Sequence, residues 1–501
     1  AAGGGAEAAA GGTPGTPRAC AYAGVLPGLE AHGLPALRVA DGAAGFRNAG
    51  DCAPRTMTLW PSALTVAATW DPQAAASWGG ALGAEARRKG AGVLLAPDLR
   101  LAAAPRDARN AERLSGEDPT LGAALGGAAV RGIQSQGIVA AATADLGPAS
   151  AAAAGRTRTP LSPRARREMA YPPLAAAVAA GLGGLACGAA PGRGVPVENT
   201  TTDGGCTDAQ AVQELRDAIG FQGFVLSRGA QGAADGADLQ LPGSEGGAAA
   251  LRAPEAATAE VAEAAGAEAR WGEAARRVLR PMFTLGQLDH APLPREAAGA
   301  NATSGEHADL ARQIAGAGAV LLQNTGELLP LSAAALQSIA VIGDAAHLTA
   351  ALAAAGADAS RVTPPRLVSA LDGVKAHLAD VGSAAAVTYT PTGTDGGRAA
   401  AAAATSAQLA LICVAAPVAE VEGLAEGTER PGLGLAPRDL QLLQSVLAVQ
   451  PNAVVVVTAP GGVLLPFAPG AAALLLAFWP GQEWGAALAD LLFGATSPSE
   501  P

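Results

Sequence analysis

Short apolar runs bounded by glycine or proline recur along the first half of the chain: GAGVLLAPD at 90–98, QGIVAAAT at 136–143 and GFVLS at 223–227. They are apolar at successive positions rather than at every second one, which predicts parallel strands buried on both faces. Between them, PTLGAALGGAAVRGIQSQ at 119–136 and SPRARREMAYPPLAAAVAAG at 162–181 have helix-like content. Strand and helix alternating from residue 36 to about 290 predict a (β/α)8-like TIM barrel. Residues 244–306 read as Ala/Glu/Arg-rich helix and then as loop, through HAPLPREAAGANATSG.

The alternation then resumes with different spacing. SIAVIGD (338–344), AAVTYTP (385–391), LALICVA (409–415), NAVVVVTAP (452–460) and ALLLAFW (473–479) are five further strand-like runs separated by helical stretches. They predict a second, doubly wound α/β domain. The expected organisation is α/β throughout: a low-complexity segment at 1–19, a barrel at 20–295, a linker at 296–306 and an α/β sandwich at 307–501. No internal repeat of 20–50 residues is evident, and the alanine tracts at 151–154 and 399–404 carry no chemistry.

Composition narrows the function classes. Half of the 501 residues are apolar but only 3% are aromatic, so small side chains must fill the interior. A net charge of −11 offers no basic stripe for nucleic acid. The absence of an 18-residue apolar run argues against a membrane span, and the start, AAGGGAEAAAGGTPGTP, has no basic leader, so the chain reads as soluble and as mature or trimmed. Five cysteines show no metal-ligand spacing. Cys187 and Cys206 flank one loop and are expected to form a disulfide that tethers it; Cys20 with Cys52 is a weaker candidate pair, leaving Cys413 free in a buried strand. Asn199 and Asn301 both sit in N-glycosylation acceptor tripeptides, and an extracellular protein is the corresponding expectation.

Serine–histidine catalysis and a histidine-rich metal site both fail in the barrel, because no histidine lies between His32 and His290. GDAAH at 343–347 lacks the glycine spacing of a dinucleotide loop and reads as a strand-to-helix turn. Neither a cofactor nor a metal is expected. What remains is carboxylate and arginine chemistry at strand ends.

DGAAGFR (41–47), ARNAERLSGEDPTLGAALGGAAVRGIQSQG (108–137), IGFQGFVLS (219–227), AVLLQNTGELLPL (319–331) and WPGQEWGAALADLLFG (479–494) occur in an order that resembles glycoside hydrolase family 3, the family of β-glucosidases and β-xylosidases. The resemblance implies a barrel followed by an α/β sandwich. It also implies retaining hydrolysis, in which one carboxylate attacks the anomeric carbon and a second carboxyl group, about 5 Å away, protonates the leaving oxygen and later activates water.

The resemblance also shows what is missing. The family's nucleophile is the Asp of S-D-W after the G-F-x-G-F-V strand, and here the strand ends Ser227-Arg228-Gly229. The family's K-H-F aligns with Thr143-Ala144-Asp145, and the Tyr of its C-S-Y-N segment with Ala189. Retained are Asp41 and Arg109, which the resemblance makes sugar-binding residues, and Glu422, with Glu420 as rival, near the family's acid/base. Each has a simpler structural explanation: Asp41 before Gly42 suits a turn, Arg109 suits an ion pair with Glu112 or Asp118, and Glu420, Glu422, Glu426 and Glu429 suit a solvated loop.

The expected function is therefore a family 3-like protein that has lost catalysis and serves a structural or carbohydrate-associated role, with other protein chains or a glycan as partners. The alternative is an active, divergent β-glycosidase that recruits Asp145 or Asp238. Arg228 is expected to pair with Asp41, or failing that with Asp203 or Glu198.

Overall fold

Most of the apolar runs do become strands, and they assemble into two sheets. The computed structural model describes residues 22–42, 44–46, 53–144, 162–187, 209–228, 237–241, 249–250, 267–289, 295–347, 362–416, 430 and 432–498. The first sheet has eight short strands: β1 Gly24–Leu26, β2 Leu37–Asp41, β3 Val93–Leu95, β4 Val139–Thr143, β5 Gly184–Cys187, β6 Phe224–Arg228, β7 Leu239–Leu241 and β8 Ala249–Ala250. Their order is β7-β6-β5-β4-β3-β2-β1-β8, a curled sheet with helices in its crossovers. Each neighbouring pair from β2 to β7 is parallel, whereas β1 runs antiparallel to β2. β1 and β8 are not legible in the sequence because they are too short to carry a pattern.

Side chains alternate between two packing layers. Ala40, Leu94, Ala140, Ala142, Leu185 and Val225 join the core shared with the helices. Val39, Val93, Leu95, Val139, Phe224 and Leu226 form a second cluster on the other face, joined by Val278 and Met282 of the helix Ala267–Thr284. Bare backbone supplies the fit where aromatics are scarce. Helices α1 Ala63–Ala68, α2 Pro72–Arg88 and α3 Pro119–Gln134 follow β2 and β3. α2 and α3 touch so closely that a Cβ on Gly132 would lie 2.2 Å from the Ala76 carbonyl oxygen, and one on Gly79 2.4 Å from that of Ala129. Such crossings let dispersion contacts accumulate without large side chains.

The second sheet has six strands: β9 Val320–Asn324, β10 Ser338–Ile342, β11 Ala386–Thr390, β12 Leu409–Ala415, β13 Ala453–Thr458 and β14 Ala473–Ala477. The order is β11-β10-β12-β13-β14-β9, parallel except for the antiparallel edge strand β9. All five expected runs are present, and β9 adds a sixth from the motif AVLLQN. Along β12, Leu409, Leu411 and Cys413 face one core and Ala410, Ile412 and Val414 the other, as a strand covered on both sides requires.

The segment between the sheets is anchored rather than free. A 3-10 turn covers Arg295–Gly299, and Ser304 caps the following helix, Gly305–Ala317, by accepting a hydrogen bond from the His307 N–H at 3.1 Å. Lys89 Nζ donates to the Ala298 carbonyl at 3.1 Å and to Thr56 Oγ1 at 2.5 Å. The fully buried Glu85 meets His307 Nδ1 at 2.9 Å.

Candidate functional site

In an open or closed parallel α/β sheet, ligand chemistry gathers at the carboxyl ends of the strands. Asp41 is the last residue of β2, and its Oδ1 accepts the Gly42 N–H at 3.1 Å, which fits the turn read from the sequence. Thr143 ends β4, exchanging backbone hydrogen bonds with Pro97 and Leu99, and Ala144 follows it into the core. Arg228 ends β6, in register with Leu241. Cys187 ends β5. The side chains of Arg228 and Cys187 lie outside the described residues, as do Cys20, Cys52, Asp145, Ala189, Glu198, Asn199, Asp203, Cys206, Glu420, Glu422, Glu426 and Glu429. The expected disulfides and the expected Arg228 pairings therefore fall outside them too. Cys413 is a free thiol in β12, where burial pushes its pKa up to about 12.

The loop from β3 to α3 carries Arg109 on a 3-10 turn, Ala108–Glu112, capped by Asp107. Arg109 Nε and Nη2 donate to Glu112 Oε2 at 3.1 and 2.9 Å, the ion pair anticipated for it. Asp118, the other candidate partner, instead caps α3 by accepting the Thr120 N–H at 2.7 Å. Sequence reading missed the centre of this loop, Asp98. Arg100 wraps that carboxylate with Nε at 3.0 Å and Nη2 at 2.6 Å. Burial acts to raise the Asp98 pKa, but the charges of Arg100, Arg113 and Arg109 outweigh it and hold it below its ordinary value. The signal was present in APDLR, an acid and a base two residues apart directly after an apolar run.

The second domain braces both arms of this region. Trp479, buried at 3% exposure, packs against Ala44, three residues past Asp41, and against Ala111, two past Arg109. The Arg430 N–H donates to the Arg106 carbonyl at 2.8 Å, and Arg106 Nε donates back to the Arg430 carbonyl at 2.9 Å.

Asp238 stands elsewhere. It precedes β7, and its carboxylate accepts the Val225 N–H near the start of β6, so it lies at the opposite end of the sheet from Arg228. Arg216 and Arg277 each donate to it at 2.9 Å, and it is 4% exposed. This is a structural triad of one buried carboxylate and two arginines. Asn301 is exposed, while Thr303 of the same tripeptide shares a 2.7 Å hydrogen bond with Thr58 Oγ1. Among the described residues, no group of three His, Cys, Asp or Glu side chains gathers as a metal site, and no helix is long and apolar enough to cross a membrane.

Residues 29–253 match the model of the glycosyl hydrolase family 3 N-terminal domain, and residues 319–499 that of the glycosyl hydrolase family 3 C-terminal domain. The chain belongs to glycoside hydrolase family 3. It is similar to a β-glucosidase of Rhizobium radiobacter, with 31% identity over 371 residues that cover 71% of this chain and 42% of that protein. It is also similar to a probable β-glucosidase L of Emericella nidulans, with 30% identity over 504 residues, 93% of this chain and 65% of that one. The chain thus spans less than two thirds of the length of these family 3 relatives. Among solved structures, the β-D-glucoside glucohydrolase of Trichoderma reesei superposes with a TM-score of 0.78 at 25% identity, over 95% of this chain and 68% of that one. A β-glucosidase of Chaetomella raphigera gives 0.77 at 25% identity, over 95% and 68% respectively.

Proposed function

We propose that this family 3 member does not hydrolyse glycosides by the two-carboxylate route and instead serves a structural or carbohydrate-associated role. One observation carries the reading: Arg228 ends β6, at the position where the family resemblance places the nucleophilic Asp. At an effective dielectric near 20, unit charges ~4 Å apart interact by roughly 4 kcal/mol, so reversing the sign beside an oxocarbenium-like centre shifts it by about 8. That amounts to roughly five to six decades of rate, apart from loss of the covalent intermediate.

The rival reading, an active divergent β-glycosidase, draws support from the names of the relatives. It needs a substitute nucleophile, and Asp238 is poorly suited, held by two arginines at the far end of the sheet. Trapping with a 2-deoxy-2-fluoro-β-glucoside bearing an activated leaving group separates the two. The inactive reading expects no covalent adduct by intact mass, and a stoichiometric adduct would overturn it.

An extracellular location belongs to the same proposal, and the exposed Asn301 suits a glycan. A mass decrease after peptide N-glycosidase treatment of the native protein, mapped to Asn301 or Asn199, is the expected result. Unmodified peptides at both positions would remove this support.

A further inference from the structure

Arg430 is 1% exposed and sits in the seam where the loop from β3 to α3 meets the loop after β13. Its Nη1 donates to the Gly462 carbonyl at 2.6 Å. Its Nε and Nη2, the two nitrogens that form the side-on edge of a guanidinium, are buried and have no hydrogen-bond partner. Among the described residues Arg430 forms no ion pair, and burial acts on its pKa unopposed, holding it below the ordinary value.

An arginine cannot shed its charge to escape such a site, and a buried guanidinium without a counterion is costly. The neighbouring loop does not supply the missing charge. From Asp98 to Arg113 it holds four arginines and three carboxylates, and Arg430 adds a fifth cation, in a chain whose net charge is −11. Elsewhere the chain fills the same edge with an acid: Arg312 Nε and Nη2 each donate at 2.6 Å to Asp490, one to each oxygen, and Arg100 turns the same two nitrogens to Asp98. Two parallel N–H groups match the two coplanar oxygens and single charge of a carboxylate. A chloride offers one centre to two donors, and a phosphate dianion brings a second charge that one guanidinium leaves unbalanced. The packing loosens beside Gly462, which is exposed and where an added Cβ would meet no atom within 4 Å, so a small anion can enter from that side.

We propose that the free edge of Arg430 binds a small carboxylate monoanion, held by Nε and Nη2 in the seam between the two domains. The anion neutralises the buried cation where the Arg430 and Arg106 backbones already meet. The assignment does not depend on the reading given for the strand ends.

Line broadening of carbon-13-labelled formate by the purified chain, at fixed ionic strength, tests it. Saturable one-site binding is expected, with chloride and inorganic phosphate competing at least about ten-fold more weakly than unlabelled formate. Arg430→Lys keeps the charge but not the paired donors, and should weaken binding at least about ten-fold. Arg276→Ala, which removes an exposed arginine, should leave it unchanged. Should Arg430→Lys not fold, a crystal structure of the wild-type chain in formate decides, with planar density expected within hydrogen-bond distance of Nε and Nη2. Absence of saturable binding, equal competition by chloride, tighter binding of phosphate, full binding by folded Arg430→Lys, or a crystal in which the edge is empty or closed by a carboxylate of this chain would each overturn the assignment. Glycoside turnover would count against the proposed function alone, because this site is judged by formate binding.

Discussion

Gln482 of the sandwich and Leu59 of the barrel exchange two hydrogen bonds: the Leu59 N–H donates to Gln482 Oε1 at 3.0 Å, and the Gln482 N–H donates to the Leu59 carbonyl at 3.0 Å. Both residues are buried, and Gln482 Nε2 also reaches Glu483 Oε1 at 3.0 Å. Glu483 in turn accepts from Arg366 at 3.0 Å. The P-G-Q-E motif is thus a clasp between the two domains.

Gln482→Leu would keep the volume but leave the Leu59 N–H buried without an acceptor. The expected loss is roughly 2–3 kcal/mol. Urea unfolding should show the fall, with the tryptophan-monitored transition splitting as the domains uncouple. An unchanged single transition would mean that the clasp is not what joins them.

Asp238→Ala should cost about 3–5 kcal/mol, because it strands Arg216 and Arg277 beside a buried Val225 N–H. Asp238→Asn should recover part of that by restoring an acceptor. Thermal melts of both variants check the order, and near-wild-type stability for the alanine variant would contradict a scaffold role.

Lys89 makes stability depend on pH in the alkaline range. Burial lowers its pKa from 10.5 to about 8, with Glu85 pulling partly the other way. Between those values the unfolded chain binds more protons at this site than the folded one. Stability should therefore rise with pH across that window, with the penalty fully present below about 8 and gone above 10.5. Lys375 is the only other lysine of the chain. Lys89→Met should flatten the slope relative to wild type in denaturant titrations from pH 7.5 to 10.5, at the expense of the hydrogen bonds to Thr56 and Ala298.

The doubly wound domain is the most legible part of the fold. A run such as AVVVVT in β13 leaves no alternative to a strand buried on both faces, and its pairing in register with the equally apolar β12 needs no other signal. β1, β8 and β9 are harder to read: β1 has three residues, too few to carry a pattern, and β8 and β9 are edge strands that owe their conformation to a neighbour. At the site, the Arg109–Glu112 pair is readable from its three-residue spacing. The Asp98 cluster and the Trp479 brace are not, since the first depends on three arginines converging in space and the second on two domains meeting.

Arg228→Asp alone should not restore hydrolysis, because Thr143, Ala144 and Ala189 replace the donors and the aromatic ring that the family resemblance assigns to sugar binding. The check is a β-glucosidase assay on the purified variant. A rate above that of the wild-type chain would show that the rest of the site is intact.

On the proposed function, the strand-end site does not catalyse as it stands. Its most direct measurement is steady-state release of 4-nitrophenol from the β-glucoside and the β-xyloside by the purified wild-type chain, alongside Asp41→Ala prepared identically. Both proteins are expected to match the buffer rate. Saturable turnover by the wild type that disappears in Asp41→Ala would contradict it and return the chain to the active members of its family.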